Sequence, residues 1–198
     1  MLTYLSQFKT LWLHFGMSNK YKFHNPDGCY FVTITVVGWI DVFTRNQYKD
    51  ILIESWKHCQ KNKGLVIHAY VIMTNHVHMI ISRNSKVLLE DIMRDMKKFT
   101  AVSLLAAIQS DMESRREWML NFFGQAGAIN SNNKHFQFWQ QDNHPIECST
   151  PLLLKQKMEY IHENPVRAGF VEKAEDWVYS SAGDYYKKKK GFIEIDWV

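Results

Sequence analysis

The run Tyr70–Ile81, YVIMTNHVHMII, constrains the fold more than any other part of the chain. Its apolar and β-branched residues are interrupted only at Thr74-Asn75, which predicts two strands joined by a short hairpin turn. His76 and His78 open the second strand. They point to the same face of it and lie roughly 6.6 Å apart along the chain. Two imidazoles so placed can share one divalent ion, although such pairs also merely hydrogen-bond at a sheet surface.

A second informative segment is a short helix near residue 160. Thr150-Pro151 is typical of a helix N-cap followed by proline at the first helical position, and Pro165 and Gly169 predict its end, for a length of about three turns or slightly more. Tyr160 and Asn164 are four residues apart, so their side chains share one face of this helix. One can act as a nucleophile while the other completes a metal site.

The remaining hydrophobic pattern predicts the other elements. A capping-box spacing at Thr44–Gln47 begins a first helix whose apolar stripe ends at Cys59, and a second helix follows the stripe Leu88, Ile92, Met96, Phe99 and Val102. Strands are predicted at Tyr30–Val37, Leu65–Met73, His76–Ser82 and Phe136–Trp139. This order is a split βαβ, or ferredoxin-like, α+β fold with an antiparallel sheet, helices on one face and the Tyr160 helix added after it.

Length and composition fit one domain with a substantial core, because the 198 residues are 46% apolar and 14% aromatic. The net charge of +4 permits a phosphate-bearing partner without requiring one. Cys29, Cys59 and Cys148 lack CxxC spacing, which argues against a disulfide framework or zinc ribbon and fits a reducing cytosol. No apolar run approaches the ~20 residues of a membrane span, and residues 1–16 lack the pattern of a signal peptide.

Four motifs, in the same order, make the chain resemble the REP-associated tyrosine transposases, which belong to the single-tyrosine HUH, or IS200-like, transposases and nucleases. They are Met73–His78, Phe138–Pro145, Tyr160–Gly169 and Asp176–Ser181, and the resemblance spans about Tyr30 to Ser181. The chain departs from the family pattern in two places. Thr74 stands where proline is common, and the insertion after the second helix is longer than expected.

The resemblance implies a chemistry for the residues already singled out. Tyr160 attacks a phosphodiester of single-stranded DNA at a hairpin-forming element, giving a 5′-phosphotyrosine and a free 3′-hydroxyl that can later rejoin. His76, His78 and Asn164 are implied as ligands of Mg²⁺ or Mn²⁺. The enzyme would be cytoplasmic and nucleoid-associated, with no membrane partner, and would work either as a monomer or as a homodimer with shared active sites.

Other residues have competing interpretations. Tyr179, Tyr185 and Tyr186 are rival nucleophiles, but only Tyr160 has the Asn-Pro-Val context. His144 and His162 are expected at the surface without a catalytic role. Phe138, Trp139 and Trp177 can stack on unpaired bases, although core packing is the preferred interpretation. Candidate contacts to the DNA backbone, several of them on the solvent side of the second helix, are Arg83, Arg94, Lys97, Lys98 and Arg167.

The predicted organisation is an N-terminal extension over residues 1–16, a catalytic domain over 17–184 and a basic tail over 185–198. An insertion at about 109–135 is predicted as a helix near Glu113–Phe123 followed by a loop over Gly124–Asn133. One alternative function stays open, a ferredoxin-like module that binds nucleic acid without cleaving it. A two-histidine phosphodiesterase is excluded, because the chain lacks two His-x-Ser/Thr units.

Overall fold

The structure is a computed structural model, and it describes residues 23–110, 113–130 and 135–197. The predicted N-terminal extension over residues 1–16 therefore lies outside the described residues. Residues 131–133, the last three of the predicted insertion loop, also lie outside the described residues.

The centre of the fold is a four-stranded sheet in the order β2-β3-β1-β4. The strands are β1 (Tyr30–Thr35), β2 (Leu65–Ile72), β3 (His76–Arg83) and β4 (Ile146–Glu147). Every neighbouring pair is antiparallel. Because β3 lies between the two strands that the first helix connects, this is the predicted ferredoxin-like, split βαβ arrangement. The predicted hairpin is also confirmed, since the Met73 amide donates to the His76 carbonyl at 2.9 Å.

Five helices surround the sheet in the described part of the chain. They are α1 (Asn46–Lys63), α2 (Leu89–Ser110), α3 (Arg116–Ile129), α4 (Pro151–Arg167) and α5 (Ala182–Lys187). Alternation along β1 divides the core in two. Tyr30, Val32 and Ile34 pack with α1 and α2, whereas Phe31 packs in a smaller cluster with Ile161 of α4. The helix that carries Tyr160 thus lies on its own face of the sheet.

The fourth strand was predicted in the wrong place. Phe138 and Trp139 are buried in the core, and the segment Phe136–Trp139 forms only an isolated bridge between Trp139 and Val36. The pairing strand begins at Ile146 instead. An aromatic pair suits a buried loop as well as a strand, so composition alone did not distinguish the two.

The buried face of α2 also differs from the predicted stripe. Ile92 and Met96 are buried, but Leu88, Phe99 and Val102 are exposed. The core side of the helix runs instead through Leu89, Met93, Thr100, Leu104 and Ile108. Apolar residues occur on both faces of this helix, so more than one stripe satisfies the helical period.

Most of the segment predicted as an insertion loop is helical. Helix α3 continues to Ile129, with Met119 and Phe123 buried. Gly127 permits close packing, because a Cβ there would lie 2.7 Å from the Cα of Phe136. The glycine marks a contact between a helix and a neighbouring chain segment rather than a turn.

The predicted basic tail is docked along β2. Ile193 and Ile195 are buried, and the Asp196 amide donates to the Ile67 carbonyl at 3.0 Å. Upstream, the Ser181 amide donates to the Tyr70 carbonyl at 3.0 Å, so the outer edge of β2 is covered. No helix among the described residues is long and apolar enough to cross a membrane.

Candidate active site

The two histidines of β3 lie side by side on the face of the sheet that α4 covers. Their ring centroids are 4.7 Å apart. His78 is buried, and its Nδ1 hydrogen-bonds the hydroxyl of Thr33 directly across on β1 at 2.9 Å. His76 is half-buried, and its Nδ1 lies 2.7 Å from the side-chain oxygen of Asn75. In each ring, Nε2 is the nitrogen left to bind a ligand when Nδ1 carries the proton.

Helix α4 brings Tyr160 and Asn164 to these histidines. The helix begins as predicted, with the Thr150 hydroxyl accepting from the Leu153 amide at 3.2 Å and proline at the first position, although its 17 residues exceed the predicted three turns. The Tyr160 ring lies 5.1 Å from the His78 ring, and the Asn164 side chain lies close enough to His76 to raise the pKa of that histidine. Tyr160 is 38% exposed, and its hydroxyl has no hydrogen-bond partner among the described residues.

Burial keeps both histidines in the form that can bind a metal. It lowers the pKa of His78 to about 3, with the neighbouring charges of His76 and Lys157 acting in the same direction. Burial also lowers the pKa of His76, against the opposing effects of the Asn164 hydrogen bond and Asp41. Both imidazoles are therefore neutral at physiological pH, as ligands must be.

The donor set fits a divalent cation with open positions. The two neutral imidazoles lie side by side and the Asn164 amide lies next to His76, a mixed nitrogen and oxygen set that suits Mn²⁺. Within the described residues, no group of three or more His, Cys, Asp or Glu side chains offers a rival metal site.

Two cations of α4 flank the tyrosine. The Lys157 Nζ lies 4.6 Å from the centre of the Phe31 ring and 5.9 Å from that of Tyr160. The Arg167 guanidinium carbon lies 5.6 Å from the Tyr160 ring. Residues 157, 160, 164 and 167 follow the helical spacing of a single face. The sequence analysis did not include Lys157 among the site residues. Its position three residues before Tyr160, on the same face of the helix, is the signal that could have identified it.

The other predicted DNA contacts lie away from Tyr160. Arg83 donates to the carbonyls of Pro26 and Ser85 at 2.6 and 2.8 Å, and Arg94 pairs with Asp91 at 2.5 Å. Lys98 is exposed on α2, which packs on the opposite face of the sheet from α4.

The expectation that Lys97 faces solvent is wrong. Its ammonium donates to the Gln140 carbonyl and the Asn143 side chain at 2.7 and 2.8 Å, fastening a loop onto α2. Burial lowers the pKa of Lys97 to about 8, with the charge of Asp142 opposing the shift.

The rival tyrosines are all engaged elsewhere. The Tyr179 hydroxyl donates to Asp50 at 2.9 Å, the Tyr185 hydroxyl donates to the His68 carbonyl at 2.8 Å, and the Tyr186 hydroxyl lies 3.3 Å from His162 Nδ1. Of these four candidates, Tyr160 is therefore the tyrosine that faces the histidine pair.

His162 is not at the surface as predicted but fully buried, and its Nε2 bonds the Ser181 hydroxyl at 2.9 Å. His144 is exposed, as expected.

The Ser181 hydroxyl also accepts from the Tyr70 amide at 3.0 Å, and the Trp177 indole donates to the Ile72 carbonyl at 3.0 Å. The segment from Asp176 to Ser181 therefore ties α4 to β2. Trp177 is occupied by this contact rather than free to stack on a base.

Comparison with known proteins assigns the family. The model of the IS200-like transposase family matches residues 30–137, which is more than half of the chain, so the chain belongs to this family of transposases. Its fold is similar to that of a solved REP-associated tyrosine transposase bound to a REP hairpin, with a TM-score of 0.63 and 18% sequence identity over 92% of each chain. A search of curated proteins finds no match.

Proposed function

We propose that this protein is a single-stranded DNA transposase that cleaves and rejoins DNA through Tyr160. The observation that carries the proposal is the position of the Tyr160 ring, 5.1 Å from His78, with a hydroxyl that no described residue engages. A nucleophile needs a hydroxyl that is accessible and lies beside groups that hold the scissile phosphate. Membership in a transposase family supports a DNA-cleaving reaction.

The reaction exchanges one phosphoester for another. The Tyr160 hydroxyl gives up its proton to solvent as its oxygen forms a bond to the scissile phosphorus, and the bond to the 3′ oxygen breaks. That oxygen leaves as a 3′-hydroxyl after taking a proton, and the 5′ end stays on the tyrosine. The reverse attack by a 3′-hydroxyl rejoins the strand without an external energy source, because the number and type of bonds are conserved.

His76, His78 and Asn164 would hold Mg²⁺ or Mn²⁺, which supplies charge withdrawal from the phosphate oxygens when bound. The protein's own residues orient the DNA strand and neutralise the charge of its phosphate. Lys157 and Arg167 bring positive charge within 6 Å of the Tyr160 ring, which favours approach of a phosphodiester. The α2 cations Arg94, Lys97 and Lys98, together with Arg83, are at most remote contacts to the DNA backbone in this proposal.

We expect the substrate to be single-stranded DNA that flanks a hairpin. The solved relative with the similar fold is bound to a REP hairpin, which supports this choice of partner. The half-exposed tyrosine, flanked by cations on one helix face, suits an extended strand better than a duplex.

The test is a cleavage assay with labelled hairpin DNA that carries single-stranded flanks, in Mn²⁺ or Mg²⁺ and in EDTA. Wild type is expected to form a covalent protein–DNA adduct on a denaturing gel only with metal. Tyr160→Phe and the double variant His76→Ala/His78→Ala are expected to form none, and Tyr186→Phe serves as a matched control. Cleavage that survives Tyr160→Phe would move the nucleophile elsewhere. Binding without an adduct across many hairpins would favour the non-catalytic module.

A further inference from the structure

Trp39 is an exposed aromatic side chain at the edge of the candidate active site. It lies in a short 3-10 turn, Val37–Trp39, directly after β1, and its side chain is 57% exposed. The indole ring meets the ring of His76 edge-on, with centroids 5.7 Å apart. The rest of the indole faces solvent beside the histidine pair. It contacts no other aromatic ring in the described part of the chain.

The backbone holds Trp39 in a conformation that bulky residues seldom adopt. Its φ is +56°, in the left-handed region, and Gly38 before it has φ +68°. For a side chain with a Cβ, this region is unfavourable, and a tryptophan there is a genuine outlier. Strain of this kind persists where the surrounding structure enforces it, and it concentrates at functional sites.

The turn is fixed from two sides. Gly38 packs so closely on helix α3 that a Cβ would lie 2.4 Å from the Phe122 ring. Arg115, which precedes α3, donates to the Asp41 carbonyl at 2.8 Å. From the other side, the Asn75 amide donates to the Asp41 carboxylate at 2.9 Å. The indole is thus presented to solvent by a rigid support rather than by a flexible loop.

We propose that Trp39 is a stacking platform for one unpaired base next to the scissile phosphate, and so sets the position of the strand at the active site. This inference rests on the proposed function. An exposed indole held rigidly beside the candidate metal ligands is what a single-strand binder uses to grip a base without reading its identity. The phosphate of that nucleotide then reaches the histidine pair, and its base lies over the indole.

The experiment tests whether the Trp39 side chain and one DNA base contribute to binding through the same contact. Full-length protein in a Tyr160→Phe background is titrated with hairpin DNA whose single-stranded flank carries one abasic site, moved one position at a time. At one position, loss of the base is expected to weaken binding about 10-fold, the scale of one base–aromatic stack. Trp39→Ala should weaken binding to intact DNA by the same factor and show no further loss with the abasic DNA.

Trp197→Ala is the matched control, because Trp197 is 61% exposed but packs on Tyr185 beyond the edge of β2. It should keep the full abasic penalty. Trp39→Phe should retain part of the affinity. Trp39→Gly should unfold at the wild-type temperature or above it, since glycine relieves the left-handed strain, while binding like Trp39→Ala. A purely structural tryptophan would lose stability together with binding.

Additive effects of Trp39→Ala and the abasic site at every position would overturn the inference, as would a large loss of thermal stability in Trp39→Gly. A covalent adduct from wild type with no such coupling overturns this inference alone. Coupling in the binding assay without any adduct from wild type overturns the proposed cleavage and leaves the stacking role intact.

Discussion

His76 is oriented by two side chains that lie behind it. Its Nδ1 bonds the Asn75 oxygen at 2.7 Å, and the Asn75 amide donates to Asp41 at 2.9 Å. If Nδ1 donates, Asn75 fixes the tautomer that leaves Nε2 for the metal, as partners behind metal ligands commonly do.

Asn75→Ala is therefore expected to weaken Mn²⁺ binding roughly 10- to 100-fold, because the imidazole loses its fixed tautomer and orientation. Titration calorimetry with Mn²⁺ measures the effect, and a higher Mn²⁺ concentration should restore cleavage. The control is Asn62→Ala, which removes a comparable amide–histidine contact, to His58 at 3.2 Å, on the exposed side of α1. Equal affinities in wild type and Asn75→Ala would contradict the role of Asn75.

Lys157 provides a second test at the level of single residues. Lys157→Gln removes a charge beside Tyr160, so binding of single-stranded DNA should weaken and the slope of log affinity against log salt should fall by about 1. Lys155→Gln removes the same charge from the same helix, at an exposed position that pairs with Glu159 at 3.9 Å. Salt-dependent anisotropy compares the two, and indistinguishable slopes would show that only net charge matters.

At the level of elements, α4 carries the proposed nucleophile and depends on its N-terminal cap. The Thr150 hydroxyl satisfies the Leu153 amide at the start of the helix. Thr150→Ala is expected to lower the free energy of unfolding by about 1 kcal/mol. Urea denaturation measures this loss, with Ser149→Ala as the neighbouring control that removes a hydroxyl but no cap. Equal stability of the two variants would mean that the cap does not form in solution.

The elements that carry the site were predictable because each has a strong local signal. Thr150-Pro151 begins α4, and the apolar run around His76 and His78 makes the β2–β3 hairpin. Elements that lacked such a signal were misplaced. Helix α2 has apolar residues on both faces, and β4, at Ile146–Glu147, is only two residues long. Its pairing with β1 is a contact between distant parts of the chain, which no local pattern encodes.

The same distinction separates the residues of the candidate site. His76 and His78 share a strand and Tyr160 and Asn164 share a helix, so spacing placed each pair on one face. That the two pairs meet came from the family resemblance, not from spacing. Trp39 escaped prediction because its exposure results from a left-handed turn supported by Phe122 of α3, far away in the sequence.

At the level of the whole molecule, the segment between α2 and α4 is part of the architecture around the site. Glu113, just before α3, is a buried carboxylate that joins α1 to α3. It accepts from Arg115 at 3.1 Å and from the Tyr48 hydroxyl at 3.4 Å, and it pairs with Arg45 at 3.3 Å. Arg115 in turn reaches the Asp41 carbonyl, so the ion pair supports the turn that presents Trp39.

This network predicts a specific dependence of stability on pH. The hydrogen bonds from Arg115, together with the charges of Arg115 and Arg45, hold the pKa of Glu113 below its ordinary 4.5 against the opposing effect of burial. A carboxyl whose pKa is lowered by folding stabilises the native state above its unfolded pKa, and that contribution disappears as pH falls through the lower native value. Glu113→Gln should therefore cost about 2–3 kcal/mol at neutral pH and progressively less below pH 4.5.

Urea denaturation of wild type and Glu113→Gln across this pH range measures the difference. The control is Glu54→Gln, which removes a carboxylate that is 69% exposed and pairs with Lys57, so its effect should be small at every pH. A Glu113→Gln deficit that stays constant down to the lowest pH would mean that the changed hydrogen-bonding groups of the side chain, and not its lost charge, destabilise the variant. A stability difference that disappears on acidification assigns the stabilisation to the ion pairs of Glu113, which join α1 to α3. The same ion pairs then support the turn Val37–Trp39 through Arg115.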